Sequence, residues 1–216
     1  FRIIHQEKKR YTFEDYSSQI GNADAALGIW VHKGVINEKL FEAHPNLKYI
    51  ATLGHGFEDF DVEMTRRRGL TITNTIYGDV TIAQYAMALL MNICHNVTVQ
   101  SDYTKTGYWK EKETNPQASY NQLFVPQIEL YQKTMGIIID EEALLEALES
   151  RKVYMAGLDV VANEPPQYQI PLMQSPYTFI TSHIAWQPKA ARLRAVDLAV
   201  KNFRSYLEGM PTSVIN

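Results

Sequence analysis

The sequence has a single cysteine, no excess of basic residues and no long hydrophobic run. Cys94 alone excludes an internal disulfide and a zinc site built on cysteines. The 24 acidic and 21 basic side chains give a net charge of -3, which removes the electrostatic reason to expect a nucleic-acid partner. No apolar stretch approaches the ~18 residues of a membrane span, and no signal peptide is visible. We therefore expect a cytoplasmic protein without a membrane partner.

Strand and helix patterns alternate along the 216 residues. Apolar, β-branched runs predict strands at residues 25–31, 47–53, 70–74, 154–160 and 178–182. Helical periodicity and capping signals predict helices at residues 13–20, 37–43, 59–68 and 189–208. Strands that alternate with helices of this length form right-handed βαβ units around a parallel sheet. The sequence therefore predicts an α/β fold with a doubly wound sheet, to which residues 1–6 could add a strand.

The middle of the chain contains the clearest helix pattern. Thr81 and Gln84 form a Thr-x-x-Gln capping box, which predicts a helix from residue 81 to residue 97. Residues 101–127 lose all periodicity, which favours an arm or crossover over a loop inside a compact domain. A short strand predicted at residues 134–139 then runs into a helix with Asp140 as its N-cap. The last predicted helix carries one apolar face, which consists of Leu193, Val196, Val200, Phe203 and Leu207.

Gly54, His55 and Gly56 lie between a predicted strand and a predicted helix. Two glycines at such a turn let backbone N–H groups approach a small anion closely. The third glycine of a G-x-G-x-x-G fingerprint would fall at Asp59, whose carboxylate repels phosphate, so this is no dinucleotide motif. From spacing alone, a tight turn without a ligand remains the alternative to an anion-binding loop.

Three titratable side chains follow predicted strands of the second half. Asp159 and Glu164 lie just past one strand, and His183 lies at the end of the next. Sites in open α/β sheets gather at such carboxyl ends. A histidine whose second ring nitrogen bonds a carboxylate is an acid–base pair, because the carboxylate fixes the tautomer. The alternative is a histidine with a structural role only.

Several blocks of the sequence resemble the D-2-hydroxyacid dehydrogenase family. Residues 47–61 and 68–75, which include Gly54-His-Gly56, look like the core of its substrate domain. Residues 81–90 are similar to the long helix that follows that core. The blocks at 140–148, 156–160, 164–165 and 183–186, which include Ala156-Gly-Leu-Asp-Val160 and His183-Ile-Ala-Trp186, resemble its catalytic half in the same order.

The resemblance implies two lobes and a redox activity. A flavodoxin-like substrate domain would comprise residues 1–97 with 190–216, followed by an arm at 98–133 and a remnant of a Rossmann cofactor domain at 134–189. The family transfers hydride between NAD or NADP and the C2 carbon of a small 2-keto or 2-hydroxy acid. It also implies a homodimer, with the two-fold contact through residues 81–97 and 101–127.

The resemblance further implies roles for individual residues. His183 would be the general acid that protonates the keto oxygen, and Glu164 the carboxylate that orients it. Asp159 would face the nicotinamide end of the cofactor. Trp186 would line the pocket. The backbone amides that would hold the substrate carboxylate are those of Leu53, Gly54, His55 and Gly56.

The chain departs from the family pattern where the cofactor should bind. The family places a glycine-rich phosphate turn after a strand like that at 133–138, but here Asp140, Glu141 and Glu142 follow. Carboxylates at that helix start oppose pyrophosphate binding. About 60 residues remain for a Rossmann domain that needs ~150. Met135 also stands where the family has its catalytic arginine, and a thioether cannot form a bidentate clamp.

Two explanations fit these departures. Either the printed sequence joins pieces of a longer enzyme, or the deletion is real and leaves a truncated module. On either explanation we expect the chain as written to be inactive alone and to bind neither NAD nor NADP. The alternative to a reductase is then a non-catalytic α/β module that binds small carboxylates or only oligomerises.

Overall fold

A computed structural model describes residues 2–5, 12–29, 34–57, 61–108, 125–136, 140–164, 166 and 168–216. They form two compact units, Phe1–Asp79 with Gln187–Asn216 and Val80–Trp186. The predicted α/β class with parallel sheets is confirmed. Correspondence of these units to the predicted family domains stays a prediction.

A three-stranded parallel sheet forms the centre of the first unit. Its strands are β1 Ala25–Ile29, β2 Tyr49–Thr52 and β3 Thr71–Thr73, in the order β1-β2-β3. Ile50 lies opposite Ala26 on one side and Ile72 on the other. Thr73 also forms an antiparallel bridge with Val214, so the end of the chain pairs with β3.

Helices cover both faces of this sheet. On one face lie α1 Phe13–Ile20, α2 Glu38–Ala43 and α3 Val62–Arg67. Polar N-caps fix their starts: Thr12 forms a capping box with Asp15, and Asn37 and Asp61 accept the N–H groups of Leu40 and Met64. Asp59, where the third glycine of a dinucleotide fingerprint would fall, lies outside the described residues. The core on this face is built from buried apolar side chains of the sheet and of all three helices, including Tyr16, Leu40, Ile50, Met64 and Ile72.

The opposite face of the sheet packs against α8 Lys189–Leu207. Small residues of α8, Ala191, Ala195 and Ala199, are buried, which lets the helix lie close to the sheet. Of the apolar face predicted from the sequence, Phe203 packs against Tyr49, whereas Leu193 and Val196 are about half exposed. The helix is therefore apolar on two sides, and its smaller residues contact the core.

The second unit contains a two-stranded parallel sheet between helices. Its elements in chain order are α4 Asp79–His95, α5 Val97–Tyr103, a π-helical turn Thr104–Tyr108, α6 Glu141–Glu149, β4 Ala156–Leu158, α7 Pro171–Gln174 and β5 Thr178–Ile180. Leu144, Leu148 and Leu172 pack on one face of the sheet. On β4, Gly157 lies so near α4 that an added Cβ would be 2.8 Å from Ile93 Cδ1.

Some predictions about local structure were wrong. The helix expected to begin at a capping box on Thr81 begins at Asp79, so Thr81 lies inside its first turn. Helical structure continues through Tyr108 into the expected arm, of which residues 109–124 lie outside the described part. Residues 2–5 and 134–136 form no strand, because no neighbouring strand pairs with them in the described part of the chain; 137–139 are outside it.

Candidate functional site

His183 and Glu164 form a hydrogen-bonded pair just beyond the carboxyl end of the β4–β5 sheet. Nδ1 of His183 lies 2.6 Å from Oε2 of Glu164. An ionised carboxylate only accepts hydrogen bonds, so Nδ1 carries the hydrogen and Nε2 is left for proton exchange. The side chains of His183 and Glu164 are 56% and 32% exposed, so a small ligand can reach the pair.

The segment that carries Glu164 is held from two directions. Oε1 of Glu164 accepts the N–H of Val161 at 2.9 Å, which closes a short turn. Oε1 of Glu141, in the first turn of α6, accepts the N–H of Ala162 at 2.5 Å. The start of α6 therefore fixes the position of the carboxylate that faces the imidazole.

Asp159, the residue after β4, accepts hydrogen bonds from the segment that carries His183. Its Oδ1 accepts from Thr181 Oγ1 at 2.6 Å and from the N–H of Ile184 at 3.0 Å. Its Oδ2 accepts the N–H of Ala185 at 2.9 Å, and its backbone carbonyl accepts the N–H of His183 at 2.7 Å. The structure thus brings Asp159, Glu164 and His183 together, while the predicted contact of Asp159 with nicotinamide stays a prediction.

The backbone of His183 lies in the left-handed region, with φ of +55°. L-residues with side chains seldom adopt this conformation, and it costs on the order of 1–3 kcal/mol. Such strain persists only where surrounding contacts hold it, and it is concentrated at functional sites. The hydrogen bonds to Asp159 are contacts of this kind.

The start of α6 does not fit a dinucleotide. Oδ1 of Asp140 accepts the N–H of Ala143 at 2.8 Å, and Glu141 and Glu142 add two carboxylates in the same turn. A pyrophosphate needs unpaired N–H groups and positive potential at a helix start, and these side chains supply the opposite. Met135, which the sequence resemblance places where the family has an arginine, is 69% exposed and lies in an irregular stretch.

The glycine loop follows β2 in the first compact unit. Its carbonyl groups are held from the next strand: the N–H of Thr75 donates to Gly54 at 3.1 Å, and Nδ2 of Asn74 donates to the carbonyl of His55 at 2.8 Å. The N–H groups of Gly54, His55 and Gly56 make no hydrogen bond with the residues that the structure describes. Three adjacent free amides suit a small anion such as a carboxylate.

The side chains of two other predicted site residues, Leu53 and Trp186, are not seen to form a binding site. The side chain of Leu53 packs against the buried cluster of Tyr49, Ala51 and Ala199, so it is a core residue. Any role in substrate binding would fall to its backbone. Trp186 is partly buried at the end of the second unit, and its predicted place in a substrate pocket stays a prediction.

Three supporting residues were missed by sequence reasoning. Thr181 bonds Asp159, Glu141 bonds the backbone beside Glu164, and Asn74 bonds the glycine loop. Asn74 and Thr181 both follow the last residue of a strand, at the carboxyl ends where sites gather, which was the available signal. Among the described residues, no group of three His, Cys, Asp or Glu side chains is placed to hold a metal ion, and none of the described helices is long and apolar enough to cross a membrane.

One family model matches nearly the whole chain. The family model described as D-isomer specific 2-hydroxyacid dehydrogenase, catalytic domain, matches residues 4–216. A hydroxypyruvate reductase from Blautia hydrogenotrophica is 26% identical, with 99% of this chain and 91% of that protein covered. The alignment extends over 302 positions, whereas this chain has 216 residues, so at least 86 positions align with no residue of this chain.

Solved structures share the fold. D-mandelate dehydrogenase from Rhodotorula graminis superimposes with a TM-score of 0.68 at 16% identity, covering 96% of this chain and 89% of that one. An NADPH-dependent glyoxylate/hydroxypyruvate reductase from Sinorhizobium meliloti, solved with citrate, gives a TM-score of 0.64 at 19% identity, covering 88% and 82%.

Proposed function

Because the chain belongs to the family of D-isomer specific 2-hydroxyacid dehydrogenases, we propose that it binds small 2-keto and 2-hydroxy acids and retains the family's acid–base pair. The observation that carries the proposal is the 2.6 Å bond between His183 Nδ1 and Glu164 Oε2. Hydroxypyruvate and glyoxylate, which name relatives of the chain, set the substrate class. A cytoplasmic location stays a prediction.

In this proposal the glycine loop binds the acid, and the acid–base pair is kept in the other compact unit. The free amides of Gly54, His55 and Gly56 receive the carboxylate, since backbone N–H groups are strong partners for an anion. In the second compact unit, Glu164 holds the His183 ring by Nδ1, which leaves Nε2 as the ring atom that can give up or take a proton.

We propose that this chain does not itself hold NAD or NADP, the hydride carriers of its family. The carboxylates at the start of α6 and the positions absent from the alignment with hydroxypyruvate reductase support this. Binding of a keto acid without turnover is then the function of the chain as written. A complete reductase activity would require a cofactor-binding segment in the middle of the sequence.

A titration with glyoxylate and hydroxypyruvate, followed by NMR of the backbone amides, tests the proposal. We expect saturable shifts at His55 and Gly56 with affinity in about the millimolar range, since few contacts are made. Gly54→Ala is the matched variant. An added Cβ meets no described atom within 4 Å, so the fold should be kept, while the methyl group blocks close approach of the carboxylate.

A fluorescence titration with NADH and NADPH tests the proposal that the chain does not hold the cofactor. We expect no saturable binding and no oxidation of NADH with glyoxylate. Absence of shifts at the glycine loop would reject keto-acid binding. Saturable nicotinamide binding with turnover would instead show that the chain is an active reductase.

We also propose a homodimer that associates through α4. Three large apolar side chains on one side of this helix are at least a third exposed, namely Val80, Met87 and Met91, and Ile82 is exposed on the other side. Exposed apolar clusters of this kind mark association surfaces.

A further inference from the structure

We infer that Asp159 and Thr181 are positioning residues, which hold residues 181–185 in the one conformation that brings His183 onto Glu164. The inference rests on the proposed function only in treating His183 as the acid–base group. It assigns Asp159 a task inside the protein, apart from any contact with a cofactor.

The hydrogen bonds of Asp159 surround His183 on both sides in sequence. Thr181 donates to it from two residues before the histidine, and Ile184 and Ala185 donate from the two residues after it. The N–H of His183 itself donates to the carbonyl of Asp159. One residue thus fixes the backbone of the whole segment against the end of β4.

These contacts explain how His183 keeps a left-handed backbone. Its φ of +55° is one that residues with side chains seldom adopt, and a free loop would relax to negative φ. Relaxation would turn the imidazole away from Glu164, since the direction of a side chain follows its backbone. The Asp159 contacts and the His183–Glu164 bond therefore form one linked arrangement.

Hydrogen bonds within the protein use most of the acceptor capacity of the Asp159 carboxylate. An ionised carboxylate has about four acceptor sites, and three are occupied by Thr181, Ile184 and Ala185. Among the described residues, Ala185 is the one partner of Oδ2, which leaves a second acceptor site on that oxygen. Thr181 is the sharper probe of positioning, because its hydroxyl contributes no charge.

The tautomer of His183 reports the arrangement without any ligand. A carboxylate on Nδ1 selects the Nδ1–H form of the neutral ring, and a released ring loses that selection. The ¹⁵N shifts of the imidazole distinguish the two forms at about pH 9, above the ordinary histidine range. His183→Gln identifies the signal by removing it.

The decisive comparison is Thr181→Val against Thr178→Val. Thr178 is the first residue of β5, the strand that Thr181 follows, and its hydroxyl donates to the carbonyl groups of Leu172 and Ser175 outside the site. We expect T181V to lose the predominance of Nδ1–H and to speed amide exchange at Ile184 and Ala185 by about tenfold. T178V should keep the wild-type tautomer of His183 although it also loses hydrogen bonds. T181S keeps a hydroxyl at residue 181 and should therefore show the wild-type tautomer.

A wild-type tautomer in T181V would overturn the inference and leave Asp159 with a role in turn stability only. If T181V does not fold, T181A makes the same comparison. The two proposals fail separately. Loss of Nδ1–H in T181V from a protein that binds no glyoxylate would reject the proposed function alone, whereas glyoxylate binding with an unchanged T181V tautomer would reject this inference alone.

Discussion

At the scale of single residues, Tyr49 places a phenol in the core between β2 and α8. The side chain has no exposed surface, and its hydroxyl shares a 2.7 Å hydrogen bond with Thr73 Oγ1. The ring centroids of Phe203 and Tyr206 lie 5.1 Å and 4.6 Å from the ring centroid of Tyr49. Burial raises the pKa of the Tyr49 phenol above its usual value, and the bond to Thr73 offsets part of that rise.

This raised pKa predicts a loss of stability in alkali. An unfolded tyrosine ionises from about pH 10, whereas folded Tyr49 stays protonated to higher pH. The free energy of unfolding is therefore full below about pH 10 and falls as pH rises towards the folded pKa, by at most about 1.4 kcal/mol per pH unit. Urea unfolding between pH 9 and 11 should show a shallower fall for Tyr49→Phe. Tyr168→Phe, at an exposed residue, should match wild type, and equal slopes in all three would contradict the prediction.

Sequence reasoning singled out Glu164 and His183 but not their supports. Both are titratable, follow predicted strands and lie in blocks that resemble a family, so their chemistry was visible. Thr181 and Asn74 carry common polar groups, a hydroxyl and an amide. The partners of these groups depend on how separate strands align. Such partners are set by tertiary structure, which no local pattern encodes.

At the scale of elements, α8 shows which parts of a helix a sequence specifies. Its extent at 189–207 agrees with the predicted 189–208, because Gly209 and Pro211 end the periodic pattern. Its core-facing side carries three buried alanines besides Phe203 and Tyr206, and a search for large apolar residues overlooks those alanines. Ala199 is the alanine of this row that packs against Tyr49 and Ala51 of β2.

Overpacking tests which face of α8 contacts the core. Ala199→Leu should cost about 1–3 kcal/mol of unfolding free energy, because Ala199 is buried against Tyr49 and Ala51. Val200→Leu, one residue along on a side with partial exposure, should change it by less than about 0.5 kcal/mol. Chemical denaturation of both variants measures the difference. A larger cost for V200L would mean that the helix is rotated from the position described.

The contact between β4 and α4 depends on a glycine. A Cβ at Gly157 would lie 2.8 Å from Ile93 Cδ1 and 3.1 Å from Leu89 Cβ, and Leu89 Cβ moves only with its backbone. Gly157→Ala should therefore cost about 1–3 kcal/mol of stability. Gly136→Ala is the control, since its Cβ would meet no described atom within 4 Å. Equal melting temperatures for the two variants would argue against this packing.

Strands were predicted better at their centres than at their ends. The runs at 25–31, 47–53 and 70–74 contain β1, β2 and β3, because buried parallel strands are continuously apolar. Of the strand predicted at residues 134–139, residues 134–136 form no strand, and the apolar residues 137–139 lie outside the described part of the chain. A strand needs a neighbour for its hydrogen bonds, and composition does not supply one.

At the scale of the whole molecule, the proposed dimer predicts a mass that depends on concentration. Sedimentation at micromolar concentration should give about twice 24.8 kDa, the mass of one chain. Met87→Glu on α4 should weaken association at least about tenfold, because a buried charge opposes an apolar contact. Leu207→Glu, at an exposed apolar residue of α8, should leave it unchanged. A monomer for wild type at these concentrations would reject the dimer.

The chain leaves its first compact unit after Asp79 and returns at Gln187. The three strands of that unit, its three helices on one face and α8 on the other are all encoded outside the excursion, and Asn216 donates to the carbonyl of Leu70 across the same fold. Length can therefore be gained or lost between the two crossing points while every partner of the larger sheet is preserved. Insertions and deletions between residues 80 and 186 can therefore accumulate during evolution while the sheet and helices of the first unit stay unchanged.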